Sequence, residues 1–203
     1  MIVAPKREFF NGIAAQWDGF PNQPDGRKLA CFVTRAVPPD ALRILDVGCG
    51  TGVLLEPLWA GSSLPGRVVE LDVAEQMLAQ NRLKSDGRRE VLHVCADARQ
   101  LPFPTGTFDA VLCFSTLPHL APIEETLGAL LACLRPGGLL SVCHLMSSEV
   151  LNAFHTTVGG AVATDHLPGA ERLAGMLRNS SAEIVSCEEA PDWYFVQARR
   201  QVS

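Results

Sequence analysis

The sequence lacks the features that would place the chain in a membrane or in an oxidising compartment. No apolar stretch approaches the roughly 18–20 residues of a membrane span, and Pro5–Glu8 interrupts the apolar core that a signal peptide would need. The seven cysteines include no Cys-x-x-Cys pair, so no disulfide framework is predicted. We therefore expect a cytoplasmic chain without a membrane span.

Several catalytic signatures are also missing. There is no Gly-x-Ser-x-Gly, which excludes the hydrolase nucleophile elbow. No set of His, Cys, Asp and Glu has zinc-ligand spacing, so we predict no metal. The formal net charge is −5, whereas a surface that binds phosphates needs a basic face. Nucleic acid is therefore not expected as a partner, and the sequence leaves the oligomeric state open.

Apolar runs alternate with helical stretches along the chain, which predicts a doubly wound α/β fold. A length of 203 residues suits one domain, residues 1–203. The predicted strands are Arg43–Val47, Arg67–Asp72, Val91–Ala96, Phe108–Phe114, Leu139–Leu145, Glu183–Glu188 and Trp193–Ala198. The predicted helices of this part are Val53–Ala60, Ala74–Lys84, Ile123–Leu134, Glu149–Thr157 and Pro168–Asn179. Runs that are apolar throughout suit a mostly parallel sheet buried on both faces by helices.

The two ends of the chain depart from this alternation. Only Ala190–Asp192 separates the last two strands, so they form a hairpin with a strand antiparallel to the others. Residues 1–40 predict a helical cap ahead of a core at 41–203. In this cap Lys6–Trp17 carries apolar residues at helical spacing, and Leu29–Val37 is a second helix. We expect both helices to pack over one end of the sheet.

The most informative stretch is Ile44–Gly52, an apolar strand that ends in an acid and is followed by glycine at three alternate positions. Each glycine has a cost in conformational entropy, so the pattern indicates that bare backbone approaches a ligand. The dinucleotide fingerprint G-x-G-x-x-G would place its third glycine at Val53 or Leu55, and a phosphate P-loop would need Gly-Lys-Ser/Thr. The spacing therefore disfavours a nicotinamide-dependent oxidoreductase, which stays one of three hypotheses.

Acidic side chains end the next two strands, at the edge where open α/β sheets bind their ligands. Asp72 lies 24 residues past Gly48, close to the offset at which an acid binds ribose hydroxyls. It could also cap the following helix, and Glu70 is the second choice for the ribose. Asp97 and Ala98 could bind the edge of a purine, although Asp97 could equally be a capping acid.

A pattern of five stretches runs through the chain: Ile44–Gly52, Val69–Leu78, Ala96–Pro104, Phe108–Val111 and Leu134–Gly138. This series resembles the class I S-adenosylmethionine-dependent methyltransferases, and the small-molecule branch of ubiquinone and menaquinone C-methyltransferases is most similar. Phe9–Asp18 resembles the helix that opens those enzymes. The likeness covers about residues 6–145. Ala74 replaces the usual Ser, a minor departure, and the chain after Leu145 matches no specific branch.

The resemblance implies a Rossmann-like fold and S-adenosyl-L-methionine as the cofactor. The loop and Phe114 would hold the methionine part, Asp72 the ribose, and the residues after the next strand the adenine. The cofactor-binding residues that it implies are Asp46, Gly48, Cys49, Gly50, Thr51, Asp72, Val73, Met77, Asp97, Ala98 and Phe114.

The acceptor side is less defined. The methyl group would pass by in-line displacement to a small-molecule acceptor that the sequence does not identify. A carbon or phenol nucleophile would need a base, whereas a thiol or amine would not. The residues expected near the acceptor are Trp17, His119, His155, Asp165 and His166, with His119 and His155 as the candidate bases. His144 is interpreted as a hydrogen-bonded core residue. The alternative is a non-catalytic protein that binds S-adenosylmethionine or S-adenosylhomocysteine.

Overall fold

The computed structural model describes residues 3–21, 23–60 and 66–201, and these contain one seven-stranded sheet. The strand order across the sheet is β3-β2-β1-β4-β5-β7-β6. The strands are β1 Arg43–Val47, β2 Arg67–Asp72, β3 Val91–Cys95, β4 Phe108–Phe114, β5 Leu134–His144, β6 Ala182–Ala190 and β7 Trp193–Arg200. The predicted α/β architecture is confirmed.

The direction of the strands also follows the prediction. The pairs from β3 through β5 are parallel, while β7 runs antiparallel to both β5 and β6. The hairpin therefore folds back so that its second strand lies inside the sheet and its first strand forms the edge. Parallel pairing brings the carboxyl ends of β1, β2, β3 and β4 to one side, where the predicted site residues follow them.

Seven α-helices connect or flank the strands: α1 Val3–Ile13, α2 Gly26–Ala36, α3 Leu55–Ala60, α4 Glu75–Lys84, α5 Ile123–Cys133, α6 Ser148–Val158 and α7 Ala170–Asn179. Short 3-10 turns lie at Ala14–Gly19, Leu117–His119 and Gly160–Val162. No helix in the described residues has both the length and the apolar character needed to cross a lipid bilayer. Several boundaries differ from the prediction by a few residues. α1 ends at Ile13, so that Trp17 lies in the 3-10 turn after it; α3 starts at Leu55 rather than at Val53; and β5 starts at Leu134 rather than at Leu139.

The core lies on both faces of the sheet. On one face, α2 and α3 pack against the strands in a cluster that includes Phe32, Ile44 and Leu112. α5 and α7 cover the other face, in a cluster that includes Leu45 and Leu173. The two helices predicted to cover one end of the sheet therefore differ in position. α2 lies on a face, and α1 with the 3-10 turn after it lies over the carboxyl edge. We call α1 and this turn the N-terminal cap.

Candidate active site

An open cavity of about 800 Å³, including its mouth, lies between the N-terminal cap and the carboxyl ends of β1 to β4. The predicted site residues that line it are Trp17, Gly48, Gly50, Asp72, Val73, Met77, Asp97, Ala98 and His119. Residues from four separate strand ends and from the cap are thus brought together around one space.

The glycine loop shapes the floor of this cavity. Gly48 and Gly50 have φ values of +66° and +54°, a backbone conformation that residues with a side chain rarely adopt. A Cβ at Gly48 would also lie 2.0 Å from Oγ1 of Thr116, whereas a Cβ at Gly50 would meet nothing within 4 Å. Gly48 is therefore required for packing. Gly50 leaves open space at the cavity wall, which fits a ligand held against the backbone.

Asp72 organises the loop as well as facing the cavity. Its Oδ2 accepts from the amide of Gly50 at 2.9 Å, and its Oδ1 accepts from the amide of Ala74 at 2.8 Å. Burial raises the pKa of Asp72, and these two amide bonds partly offset that effect. A carboxylate has about four acceptor positions, so Asp72 can hold these amides and still accept from ligand hydroxyls. The N-cap residue of α4 is Ala74, and no side chain caps this helix. The alternative role of Asp72 as a helix cap is therefore wrong, and its ribose role stays a prediction.

Two further acids lie beneath the loop rather than in the cavity lining. Asp46 pairs in register with Glu70, and neither oxygen of Asp46 has a hydrogen-bond partner among the described residues. Burial, followed by the charges of Glu70 and Asp72, raises the pKa of Asp46 well above its usual range. Glu70 accepts from Nδ2 of Asn81 at 2.6 Å, so it is directed to α4 and away from the ribose position. A cation bound above the floor would stabilise the charged form of Asp46 that burial disfavours.

Asp97 is held by the residue two positions after it. Arg99 donates to the two oxygens of Asp97 from its backbone amide, Nε and Nη2, at 2.6–3.0 Å. These bonds hold the pKa of Asp97 below its usual value, although burial opposes them. Both residues line the cavity, so an amine that binds Asp97 would share its oxygens with Arg99.

Besides Asp46, three more predicted cofactor residues do not line the cavity. Thr51 is buried and donates from its hydroxyl to Asp18 of the cap at 2.7 Å. Cys49 is buried too, and burial raises the pKa of its thiol well above the usual range. Phe114 packs on the α2 face, with its ring 5.5 Å from that of Phe32. The strand ends there, Ser115 has a φ of +52°, and the chain presents Ser115 and Thr116 to the cavity instead.

A cluster of ionisable side chains lies at the opposite side of the cavity, and we call it the acceptor wall. Lys6 and His119 of this cluster line the cavity, whereas the predicted residues Asp165 and His155 lie behind them and do not. Nδ1 of His119 lies 2.5 Å from Oδ2 of Asp165, and Oδ1 of Asp165 pairs with Lys6 of the cap. Nδ1 of His155 lies 3.1 Å from the carbonyl oxygen of Asp165. Burial lowers the pKa of His119, and the Asp165 carboxylate offsets this only in part. Burial alone would raise the pKa of Asp165, but the bonds from His119 and Lys6 hold it below its usual value.

His166 and His144, the other two histidines considered in the sequence, take no part in this wall. His166 lines a second, shallower cavity beside Arg172. His144 is buried as predicted, but its Nε2 has no hydrogen-bond partner, so the prediction of a hydrogen-bonded core residue is wrong in that respect. Burial lowers the pKa of His144 to about 3. The sheet places it at the end of β5, where the Tyr194 ring covers it at 5.8 Å.

Sequence reasoning missed Lys6, Arg99 and Thr116 as lining residues. A signal for Lys6 was present, because it lies one helical turn before Phe10 on the apolar stripe of the cap. Nothing local marked its partner, which lies 159 residues away in the chain. In residues 3–21, 23–60 and 66–201 no group of three or more His, Cys, Asp or Glu is arranged to hold a metal.

Comparisons with known proteins agree with this geometry. The family described as "Methyltransferase domain" matches residues 45–142. The ubiquinone biosynthesis O-methyltransferase of Brucella ovis is 31% identical over 185 residues, covering 79% of this chain and 70% of the relative. The demethylmenaquinone methyltransferase of Thermus thermophilus is 45% identical over 102 residues, covering 49% of this chain and 46% of the relative.

The chain spans about half the length of the demethylmenaquinone methyltransferases that it matches. Among solved structures, a chain from the complex between the Haloferax volcanii Trm112 methyltransferase activator and a methyltransferase superimposes with a TM-score of 0.82. That comparison covers 97% of this chain and 98% of the other at 15% identity, so it supports the fold alone.

Proposed function

Because the chain belongs to the class I S-adenosylmethionine-dependent methyltransferases, we propose that it methylates a small organic acceptor that must lose a proton. S-adenosylmethionine is the cofactor. One observation supports the choice of acceptor: the cavity wall carries a neutral histidine, His119, hydrogen-bonded to a buried carboxylate, Asp165. The names of the relatives make a phenol or hydroquinone ring the leading candidate.

The cavity fits the cofactor at each of its parts. Asp72 would accept from the ribose hydroxyls, and Gly50 offers open backbone for the methionine part. Asp97 and the chain at Ala98 would face the adenine edge, with Met77 packed near it. The buried, unpartnered Asp46 beneath the loop suits the positive charge of the sulfonium compound. When bound, the cofactor supplies an electrophilic methyl group for in-line transfer.

The side chains of the acceptor wall would manage the proton. With Nδ1–H donated to Asp165, Nε2 of His119 is the basic nitrogen, because a neutral imidazole has one donor and one acceptor. Nε2 would take the acceptor's proton as the new bond to the methyl group forms. Phe10 lies 5.2 Å from the His119 ring and 5.9 Å from the Trp17 ring, so an aromatic roof would exclude water and favour a nearby cation.

The alternative is a protein that binds the cofactor without transferring its methyl group. A purely apolar wall would support that alternative, whereas this wall carries a histidine–carboxylate pair, a common arrangement for general bases. The nicotinamide hypothesis is not favoured, since the loop lacks the third glycine of the dinucleotide fingerprint. We propose in addition a cytoplasmic location without nucleic-acid partners, on the strength of the acidic composition.

Two measurements test the function. Titration calorimetry should detect binding of S-adenosylmethionine and S-adenosylhomocysteine but not of NAD; the reverse result would reject the methyltransferase reading. Production of S-adenosylhomocysteine is then measured with a panel of catechols, hydroquinones, amines and thiols. We expect turnover with the hydroxylated rings. Tight binding without turnover on any member of the panel would support the non-catalytic alternative.

A further inference from the structure

Lys6 is buried on the face of α1 that covers the cavity, with 8% of its surface exposed. A lysine is almost never buried unless it is paired, and its partner is Oδ1 of Asp165. Asp165 follows α6 in the chain, on the acceptor wall. This ion pair therefore joins the N-terminal cap to the segment that holds the candidate base.

Asp165 is the point at which three elements meet. Oδ1 faces α1, Oδ2 faces His119 after β4, and the backbone carbonyl faces His155 of α6. The backbone of this segment is anchored separately, since Asn152 of α6 exchanges two hydrogen bonds with Leu167 at 2.8 and 3.0 Å. The α6 contacts thus hold the main chain, and Lys6 provides the charged contact that holds the carboxylate.

We infer that Lys6 is a positioning residue for His119: it holds the Asp165 carboxylate and makes the oriented His119–Asp165 pair depend on a seated N-terminal cap. The cap contributes Lys6, Phe10 and Trp17 to the cavity wall, so moving it aside to admit a ligand separates Lys6 from Asp165. The base is then complete only when the cavity is covered. The role of His119 as the base rests on the proposed function.

The charges around His119 give this inference a measurable sign. Asp165 and Lys6 are in the same network, His155 of α6 has its ring 5.1 Å away, and His144 lies at the end of β5. The Lys6 cation lowers the pKa of His119. Removing it takes a positive charge away from the neighbourhood of Asp165 and His119, so the pKa of His119 should rise.

The experiment measures the protonation and tautomer of His119 in the full chain by long-range 1H–15N NMR, with His119→Gln to assign the signal. We expect the Nδ1–H tautomer in the wild type. The titration of His119 should move to higher pH in Lys6→Met and in Lys6→Gln, and Lys6→Arg should restore the wild-type titration. If Lys6→Met does not fold, Lys6→Gln gives the same reading. A titration that coincides with that of the wild type in the folded variants would overturn the inference.

Lys84→Met is the matched control. Lys84 also tethers the cap, through Asp18 at 2.7 Å, but it does not contact Asp165. We expect the titration of His119 in this variant to match that of the wild type. A shift equal to that of Lys6→Met would mean that any contact holding the cap sets the pKa of His119, which would overturn the specific role of Lys6. The measurement needs no acceptor. An absence of turnover would therefore reject the proposed function without bearing on Lys6, and an unshifted titration would reject only the role of Lys6.

Discussion

The cofactor wall and the acceptor wall of the cavity are built in different ways. In the cofactor wall, Asp72 accepts hydrogen bonds from the amides of Gly50 in the glycine loop and of Ala74. Asp97 accepts from its neighbour Arg99. In the acceptor wall, Lys6, His119 and Asp165 contact one another through side chains from three distant parts of the chain. The first wall is shaped by local backbone geometry, and the second depends on tertiary packing.

This difference separates binding from chemistry. We expect the first wall, which is made of backbone and strand-end acids, to bind the cofactor that the family shares. A wall made of side chains can change with the acceptor, because function lies in the site and not in the fold. Variants in the two walls should therefore have separable effects, and the following predictions run from the largest effect to the smallest.

His119→Gln should have the largest effect, and it should affect turnover alone. Loss of a general base lowers kcat by about 10²- to 10⁴-fold, while the affinity for S-adenosylhomocysteine stays within about threefold because Gln leaves the cofactor wall intact. Turnover and calorimetry on the same preparation measure both quantities. A variant that loses affinity and keeps its kcat would show that the two walls are not separable.

Asp72→Ala should affect cofactor binding rather than turnover. Losing the acceptor for the loop amide and the ribose removes roughly 1.5–3 kcal/mol of binding, which corresponds to about a 10- to 150-fold weaker dissociation constant. Calorimetry with S-adenosylhomocysteine measures it, and Asp72→Asn, which keeps one acceptor oxygen, should lose less. An unchanged affinity in the alanine variant would remove Asp72 from the cofactor site.

The buried acid Glu70 and the buried base His144 should give pH dependences of opposite sign. Burial raises the pKa of Glu70 to about 7, so its contribution to stability is present below pH 4.5 and is lost as the pH rises toward 7. Burial lowers the pKa of His144 to about 3, so its contribution is present above pH 6.5 and is lost as the pH falls. Each slope is at most about 1.4 kcal/mol per pH unit.

Urea unfolding at pH 5 and pH 8 separates these two slopes. Glu70→Gln should be stabilised relative to the wild type at pH 8 more than at pH 5, because the amide carries no charge and still accepts from Asn81. The free energy of unfolding of His144→Phe, taken relative to that of the wild type, should be higher at pH 5 than at pH 8. Parallel pH profiles for the wild type and both variants would mean that neither group titrates on unfolding in this range.

Lys84→Met should have the smallest effect. The ion pair with Asp18 is partly exposed, with 38% and 47% of the side chains accessible, and such pairs contribute about 1 kcal/mol or less. We expect a loss of stability in that range by urea unfolding, and a dissociation constant for S-adenosylhomocysteine within about threefold of the wild type. A larger loss of affinity would make the cap tether part of the cofactor wall.

Local patterns were enough to predict the seven strands, the hairpin and the positions of Gly48, Gly50, Asp72 and Asp97. These features repeat at short range: alternation within a strand, glycine spacing within a loop, and an acid directly after a strand. A ligand-binding edge follows from them, because parallel strands always bring their carboxyl ends to the same edge of the sheet. The cofactor itself was implied by the resemblance of five stretches between Ile44 and Gly138 to the methyltransferase family.

Tertiary structure alone decided which side chains face the acceptor. Three features depend on how the cap, α6 and the chain after α6 pack over the sheet. They are the pairing of Lys6 with Asp165, the absence of Thr51 and Phe114 from the cavity lining, and the uncompensated burial of Asp46. Such contacts join residues that are far apart in the chain, and no local period or propensity records them. The short-range pattern could locate the ligand-binding edge because main-chain geometry shapes it, whereas the cluster around Asp165 forms only when distant side chains pack together.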